Sequence, residues 1–260
     1  MPNNLKNKNQ PKDELDLEVD KMLELAKDER FESGIYNFCD RWCEKCADTT
    51  KCYLFAEDEI RKARKLVLDQ EAENESAWLE DMEQSFAITH RLLERKFKEL
   101  GIDMEKVLAE AEDQKNWDDN AERRYNDVPV YKLARKYMKE ARDFLDKFHE
   151  NRFKFYPSLG MEIDYSDIKG GIETITWYFT MLPTKIWRYL YEKESLQREE
   201  DQELKEMMAE DLGKFYALAN KCIAKSIEAW DNLGEKRIDW ALNCQYFRQL
   251  LQQIKQELKQ

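Results

Sequence analysis

Hydrophobic positions recur at intervals of three and four along most of the chain, which is the spacing of one helix face. The pattern predicts helices over residues 13–32, 78–100, 129–151, 172–191 and 212–233. A last helix should run to the chain end, where apolar positions alternate spacings of four and three as in a heptad seam. This helix is expected to pack on a partner, within the chain or in a second copy. The seam positions are Trp240, Cys244, Phe247, Leu251, Ile254 and Leu258.

The predicted helix over residues 172–191 is apolar on nearly every side, which is typical of the centre of a helical bundle. Pro183 should kink it, because proline lacks a backbone N–H and its ring clashes with the carbonyl four residues earlier. Seven glycines and five prolines in 260 residues are too few for many short strands joined by turns. The sequence therefore predicts an all-α fold, a multi-helix bundle.

Three segments follow from the distribution of residue types. Residues 1–12 are polar and lack periodicity, so they are predicted to form a disordered tail. Residues 13–56 contain four of the six cysteines and are predicted to be a metal-binding segment. Residues 57–260 should form the helical bundle, in one domain with 13–56. The densest group of glycines and prolines, over residues 153–171, marks the best candidate for a loop.

The net charge of −12 disfavours nucleic acid as a partner, because an acidic surface repels polyanions. Residues 192–211 carry nine acidic and three basic side chains, which indicates a solvated face or, alternatively, a patch that docks a partner. No stretch approaches about 20 uncharged apolar residues, and the N-terminal residues lack an apolar signal region. We therefore expect no membrane association, and a cytoplasmic protein with reduced thiols.

The most specific chemical signal is a run of four cysteines with the spacing C-x3-C-x2-C-x5-C, at Cys39, Cys43, Cys46 and Cys52. On a helix the first three sulfurs would point to one side, and Cys52 would fold back as the fourth ligand. Four thiolates match the tetrahedral cage of zinc or the corners of a [4Fe-4S] cluster. The alternative is that these cysteines are small buried hydrophobic residues or a redox pair.

Basic side chains lie among the four cysteines, at Arg41, Lys45 and Lys51. They would offset the negative charge of a four-thiolate site and lower the pKa values of the thiols. The leading functional hypothesis is a metal-binding helical protein whose iron–sulfur or zinc centre is structural or transfers electrons.

Three resemblances bear on this segment. Cys43-x2-Cys46-x5-Cys52, followed by Tyr53-Leu-Phe-Ala56, resembles the iron–sulfur cluster loop of endonuclease III-type DNA glycosylases, although the first spacing is three residues in place of six. The first three cysteines also copy the C-x3-C-x2-C triad of radical S-adenosylmethionine enzymes, but no alternating strand and helix pattern follows. Taken whole, the chain is similar to uncharacterised bacterial proteins that join a Cys-Asp-Arg-Trp-Cys-Glu-x-Cys segment to an all-helical body, which implies the same architecture and no particular activity.

The remaining candidate site residues can each be interpreted structurally as well as functionally. Cys222 and Cys244 fall on apolar stripes and are predicted to be core residues. His90, His149 and Glu173 are the residues available for a di-metal carboxylate site, but the spacing of carboxylates and histidines departs from the Glu-x-x-His pattern of such bundles. Glu173 is otherwise a first-turn residue favoured by the helix dipole. Two alternatives to the metalloprotein hypothesis remain. One is an enzyme that uses the cluster or a di-metal carboxylate site in the helical bundle, with a pocket around Glu173 and Pro183, and the other is a protein-interaction scaffold.

Overall fold

The chain is helical throughout the part that a computed structural model describes, which confirms the all-α prediction. The described residues are 13–67, 75–107, 109, 124–150 and 166–259, and they contain no strand. The predicted tail over residues 1–12 lies outside them.

The chain divides into two compact units. Unit 1 comprises Met1–Asn37 and Cys43–Lys115, and unit 2 comprises Phe38–Trp42 and Asn116–Gln260. The predicted 57–260 segment therefore contributes to both units. Among the described helices, none is both long enough and apolar enough to traverse a bilayer.

Within its described residues, unit 1 contains three long helices, α1 (Glu14–Ala26), α2 (Tyr53–Val67) and α3 (Glu75–Leu100). Asp13 caps α1, because its carboxylate accepts a hydrogen bond from the backbone N–H of Asp16 at 2.7 Å. Helix α1 packs on α3, where the Arg95 guanidinium contacts the carboxylates of Asp16 at 2.6 Å and Asp20 at 2.7 Å. Charged pairs therefore contribute to this helix contact.

The predicted helix over residues 13–32 is shorter than expected, since α1 ends at Ala26. Two residues later, the Asp28 carboxylate accepts hydrogen bonds from both the backbone N–H and the guanidinium of Arg30. Such local bonds compete with the helical hydrogen bonds and favour a turn. Helix α3 agrees better with its prediction, and Gly101 follows Leu100 with a φ of 68°, as expected of a glycine that ends a helix.

Unit 2 contains a four-helix bundle. Its helices are α4 (Pro129–Glu150), α5 (Lys169–Arg198), α6 (Gln202–Lys236) and α7 (Ala241–Glu257), with a 3-10 turn at Ile238–Trp240 before α7. Helix α4 packs on α5, α5 on α6, α6 on α7, and α7 on α4. The apolar stripes predicted from the sequence line the inside of this ring, so their burial stabilises the bundle.

The heptad seam of α7 packs within the chain, because all six of its side chains are buried in unit 2. The Phe247 ring stacks on Trp230 of α6 with a centroid distance of 4.4 Å. The Trp230 indole N–H in turn donates a hydrogen bond to the Tyr137 hydroxyl of α4 at 3.0 Å, so this buried donor is satisfied. The three residues join α4, α6 and α7.

Helix α5 begins at Lys169, so Gly170 and Gly171 belong to its first turn and not to a loop. Residues 151–165 of the predicted loop lie outside the described part. A Cβ atom added at Gly171 would lie 2.9 Å from Cδ2 of Leu233, which is buried on α6. Glycine at this position therefore permits the close approach of α5 and α6.

Candidate functional site

The four clustered cysteines lie on short turns, and the α-helix that would align the first three sulfurs is not formed. Cys39 follows the 3-10 turn Ile35–Phe38, and Cys43 begins the turn Cys43–Lys45. Between them Arg41 has a φ of 59°, in the left-handed region, which interrupts helical backbone at a cost of about 1–2 kcal/mol. The spacing of the cysteines in the sequence does not predict this backbone conformation of Arg41.

Cys43 and Cys46 share one tight turn in unit 1. The backbone N–H of Cys46 donates to the carbonyl of Cys43 at 3.1 Å, and the backbone N–H of Asp48 donates to Sγ of Cys46 at 3.4 Å. Cys52 ends the next turn and immediately precedes α2.

All four of these cysteines are partly exposed, in contrast to the buried Cys222 and Cys244. Cys39 belongs to unit 2, and Cys43, Cys46 and Cys52 belong to unit 1. All six cysteines lie in the described residues, and none is in a disulfide. Over the described ranges, no three Cys, His, Asp or Glu side chains are grouped so that they would hold a metal ion.

Asp40, between the first two cysteines, is one of the few buried charged residues of unit 2, with 7% of its surface exposed. Its carboxylate accepts hydrogen bonds from the Tyr178 hydroxyl at 2.7 Å and from the Lys221 ammonium at 2.9 Å. Burial by itself raises the pKa of Asp40, but the bonds from Tyr178 and Lys221 outweigh it and hold the pKa below its usual value. Asp40 is therefore a buried, charged acceptor that binds residues of α5 and α6.

Trp42 strengthens the same attachment through ring contacts. Its indole stacks on Trp177 with a centroid distance of 5.2 Å and lies edge-on to Tyr178 at 5.8 Å. The Trp177 indole N–H donates to the backbone carbonyl of Asp40 at 2.8 Å. The Asp40-Arg-Trp42 tripeptide is thus fixed on α5 by its side chains and its backbone.

Lys185 of α5 lies half-buried close to this segment. Desolvation lowers the pKa of its ammonium from the ordinary value, with a further lowering by Arg41, while the nearby Cys39, Cys222 and Asp40 act in the opposite direction. The position of Lys185 beside two cysteines cannot be deduced from the sequence pattern, because Cys39 and Lys185 are far apart in the chain.

The prediction for the other two cysteines is confirmed, because Cys222 and Cys244 are both buried in the core of unit 2. Burial raises the pKa of the Cys222 thiol to about 12 and that of Cys244 to about 11. Both are neutral thiols at physiological pH, as expected of core residues and not of metal ligands.

The residues considered for a carboxylate-bridged metal site have local partners and do not form a ligand group. Nδ1 of His90 lies 3.5 Å from Oε1 of Glu94, and Nζ of Lys169 lies 3.8 Å from Oε1 of Glu173. His149 is exposed at the end of α4, with its ring centroid 5.5 Å from that of Phe148. A cavity is present beside Pro183, but Glu173 does not line it.

Sequence reasoning missed Asp40 and its partners. The segment Cys39-Asp-Arg-Trp-Cys43 was singled out for its cysteines, yet the intervening Asp40 and Trp42 make the contacts to the bundle. The presence of an acidic residue and a tryptophan inside a compact motif could have indicated that this segment packs on the bundle. Their partners in α5, however, cannot be deduced from the spacing of residues. No protein family model, curated protein or solved structure matches this chain.

Proposed function

We propose that this chain is a metal-binding helical protein in which Cys39, Cys43, Cys46 and Cys52 are thiolate ligands of one [4Fe-4S] cluster or one zinc ion. The centre would be structural or transfer electrons. The observation that supports this best is the Cys43–Cys46 turn, where a backbone N–H already donates to the sulfur of Cys46. N–H···S bonds of this kind orient and stabilise metal thiolates.

The donor set fits either metal. Four cysteines within fourteen residues are outside disulfides and partly exposed, so their sulfurs are accessible to an incoming ion. The turns at Cys43–Lys45 and Thr49–Lys51 would adjust when the ligands close on the metal, because ligation and folding are coupled. Cys39 is included as a ligand because of its spacing from the other three cysteines in the sequence.

A cytoplasmic location is part of the same proposal. Six cysteines without a disulfide suit a reducing compartment, where thiolates persist as metal ligands. The net charge of −12 further supports a protein that does not bind nucleic acid.

Metal and sulfide analysis of anaerobically purified protein tests the proposal. A [4Fe-4S] centre predicts brown protein with visible charge-transfer absorption that dithionite bleaches, and about four irons and four acid-labile sulfides per chain. A zinc centre predicts colourless protein with about one zinc per chain. Protein that contains neither metal, even after reconstitution under reducing conditions, would contradict the proposal.

Cysteine variants assign the ligands. We expect Cys43→Ser and Cys46→Ser to lose the metal, because a hydroxyl is a poor replacement for a thiolate. The matched controls are Cys222→Ala and Cys244→Ala, which change buried cysteines of unit 2 and should retain the metal. Full metal content in Cys43→Ser and Cys46→Ser would show that the ligand assignment is wrong.

Self-association through the C-terminal region is the second candidate function, and an exposed apolar stripe favours it. Ile238 is 88% exposed, Leu242 is 81% exposed, and Tyr246 follows after the same interval of four residues. Exposed apolar stripes are typical of protein interfaces. If a second copy covers this stripe, sedimentation should detect a dimer that Leu242→Glu dissociates, and a monomer at all concentrations would contradict it.

A further inference from the structure

One face of α4 and one face of α5 enclose a cavity of about 670 Å³ in unit 2. Tyr131 and Arg135 of α4 line it at a spacing of four residues. On α5 the lining includes Pro183, Trp187 and Tyr191, also four residues apart, so a single helix face is exposed to the cavity. The volume lies within the range of sites that hold small organic molecules.

Among the described residues that line the cavity, the charged ones are Arg135 and Arg188. Arg188 also forms an ion pair with Glu192 at 2.6 Å, and Arg135 donates to the Asn126 amide oxygen at 2.5 Å. These partners hold the guanidinium groups in place and leave further N–H donors, since each guanidinium carries five. An anion in the cavity could pair with the guanidinium donors that are not engaged by Asn126 and Glu192.

Aromatic rings form much of the remaining wall. Trp187 and Tyr191 stack at a centroid distance of 5.4 Å, and each arginine lies over a ring, Arg188 over Tyr191 at 5.7 Å and Arg135 over Tyr131 at 5.9 Å. Aromatic rings and guanidinium groups that line a cavity in this way favour flat, aromatic molecules.

We propose that this cavity binds a small organic anion that carries an aromatic ring. The carboxylate, sulfonate or phosphate group of such a molecule would pair with Arg135 and Arg188. Its ring would lie against the aromatic wall. This site is independent of the four-cysteine centre, since all of its lining residues belong to unit 2 and none is a proposed metal ligand.

Calorimetric titration of the full chain with 2-naphthoate tests the proposal. We expect saturable binding of one molecule per chain. Two related probes separate the contributions: 2-naphthalenemethanol keeps the rings without the charge, and cyclohexanecarboxylate keeps the charge without the aromatic ring. Both should bind at least about tenfold more weakly than 2-naphthoate, because each lacks one of the two recognised groups. Absence of saturable binding up to millimolar 2-naphthoate, or equal binding of the uncharged alcohol, would overturn the proposal.

Arginine variants with a matched control locate the binding. Arg135→Gln and Arg188→Gln should each weaken 2-naphthoate binding about tenfold or more. Arg142→Gln is the control, because Arg142 also lies on α4 over an aromatic ring, Phe179 at 5.7 Å, but does not line the cavity. An equal loss in Arg142→Gln, or unchanged binding in both cavity variants with an unaltered circular dichroism spectrum, would overturn the assignment.

Discussion

The hydroxyl of Tyr178 donates a hydrogen bond of 2.7 Å to the buried carboxylate of Asp40, although the two residues are 138 positions apart. This bond attaches the chain between two proposed metal ligands, Cys39 and Cys43, to helix α5 of unit 2. The Trp42–Trp177 stack and the Lys221 ion pair act on the same five-residue segment. The bundle therefore holds Phe38–Trp42 in a defined conformation that includes the positive φ of Arg41.

Tyr178→Phe removes one donor from this buried carboxylate and leaves the ring in place. We expect it to lower the free energy of unfolding by about 1–3 kcal/mol, because hydrogen bonds to buried charged groups are worth that much. Tyr246→Phe is the matched control: its hydroxyl donates to the carboxylate of Glu140 at 2.5 Å, but at an exposed position. That change should cost less than about 0.5 kcal/mol. Urea unfolding of both variants measures the difference, and equal effects would show that the Asp40 contact is not a stabilising one.

Gly171→Ala should destabilise unit 2, because the added methyl group would lie 2.9 Å from Cδ2 and 3.0 Å from Cγ of buried Leu233. Overpacking of this kind costs about 1–3 kcal/mol. The neighbouring Gly170→Ala is the control, since nothing lies within 4 Å of its added Cβ. It should be neutral or stabilise the protein by up to about 1 kcal/mol. Thermal unfolding compares the two, and a loss of stability in both would contradict the packing explanation.

These glycines illustrate what the hydrophobic pattern does and does not determine. Periodicity located α3 to α7, because each helix buries one face and that face repeats along the sequence. The sequence pattern places Gly170 and Gly171 in a loop and ends a helix just before Gly234, yet all three glycines lie inside helices. Gly171 and Gly234 allow close contact with Leu233 and Cys244, respectively. The sequence does not distinguish a glycine in a helix–helix contact from a glycine in a loop, because the difference depends on the neighbouring helix.

The start of α6 had a local signal that the sequence analysis did not use. Asp201 caps the helix through a hydrogen bond from the backbone N–H of Leu204 at 2.9 Å, in the middle of the acidic stretch 192–211. A carboxylate at this position is a common helix start. The acidic composition of residues 192–211 therefore does not by itself indicate where α6 begins, although the capping residue does. The contacts of Asp40, in contrast, depend on residues more than a hundred positions away and have no local signal.

Stability should depend on the ionisation of Glu194 near the end of α5. A hydrogen bond from the Tyr125 hydroxyl is the main cause that lowers the pKa of Glu194, followed by Arg124, whose Nη1 lies 2.5 Å from Oε1. Because the folded-state pKa is below the ordinary 4.5, the charged carboxylate stabilises the fold above about pH 4.5. That contribution is lost as the pH falls through the lower folded-state pKa.

Glu194→Gln should therefore be less stable than the parent protein at pH 7, by about 1 kcal/mol, and the difference should shrink as the pH falls from 5 towards 3. Glu203→Gln, in the first turn of α6, is the control for changing a glutamate without the Tyr125 bond. Urea unfolding at several pH values measures both. A constant difference between Glu194→Gln and the parent across this pH range would contradict the assigned ionisation.

X-ray absorption at the metal edge of the purified full chain tests the metal assignment most directly. Four sulfur neighbours at about 2.3 Å are expected for a zinc or iron centre held by Cys39, Cys43, Cys46 and Cys52, with an added iron–iron shell in the case of a cluster. A first shell made mainly of nitrogen and oxygen would contradict the assignment.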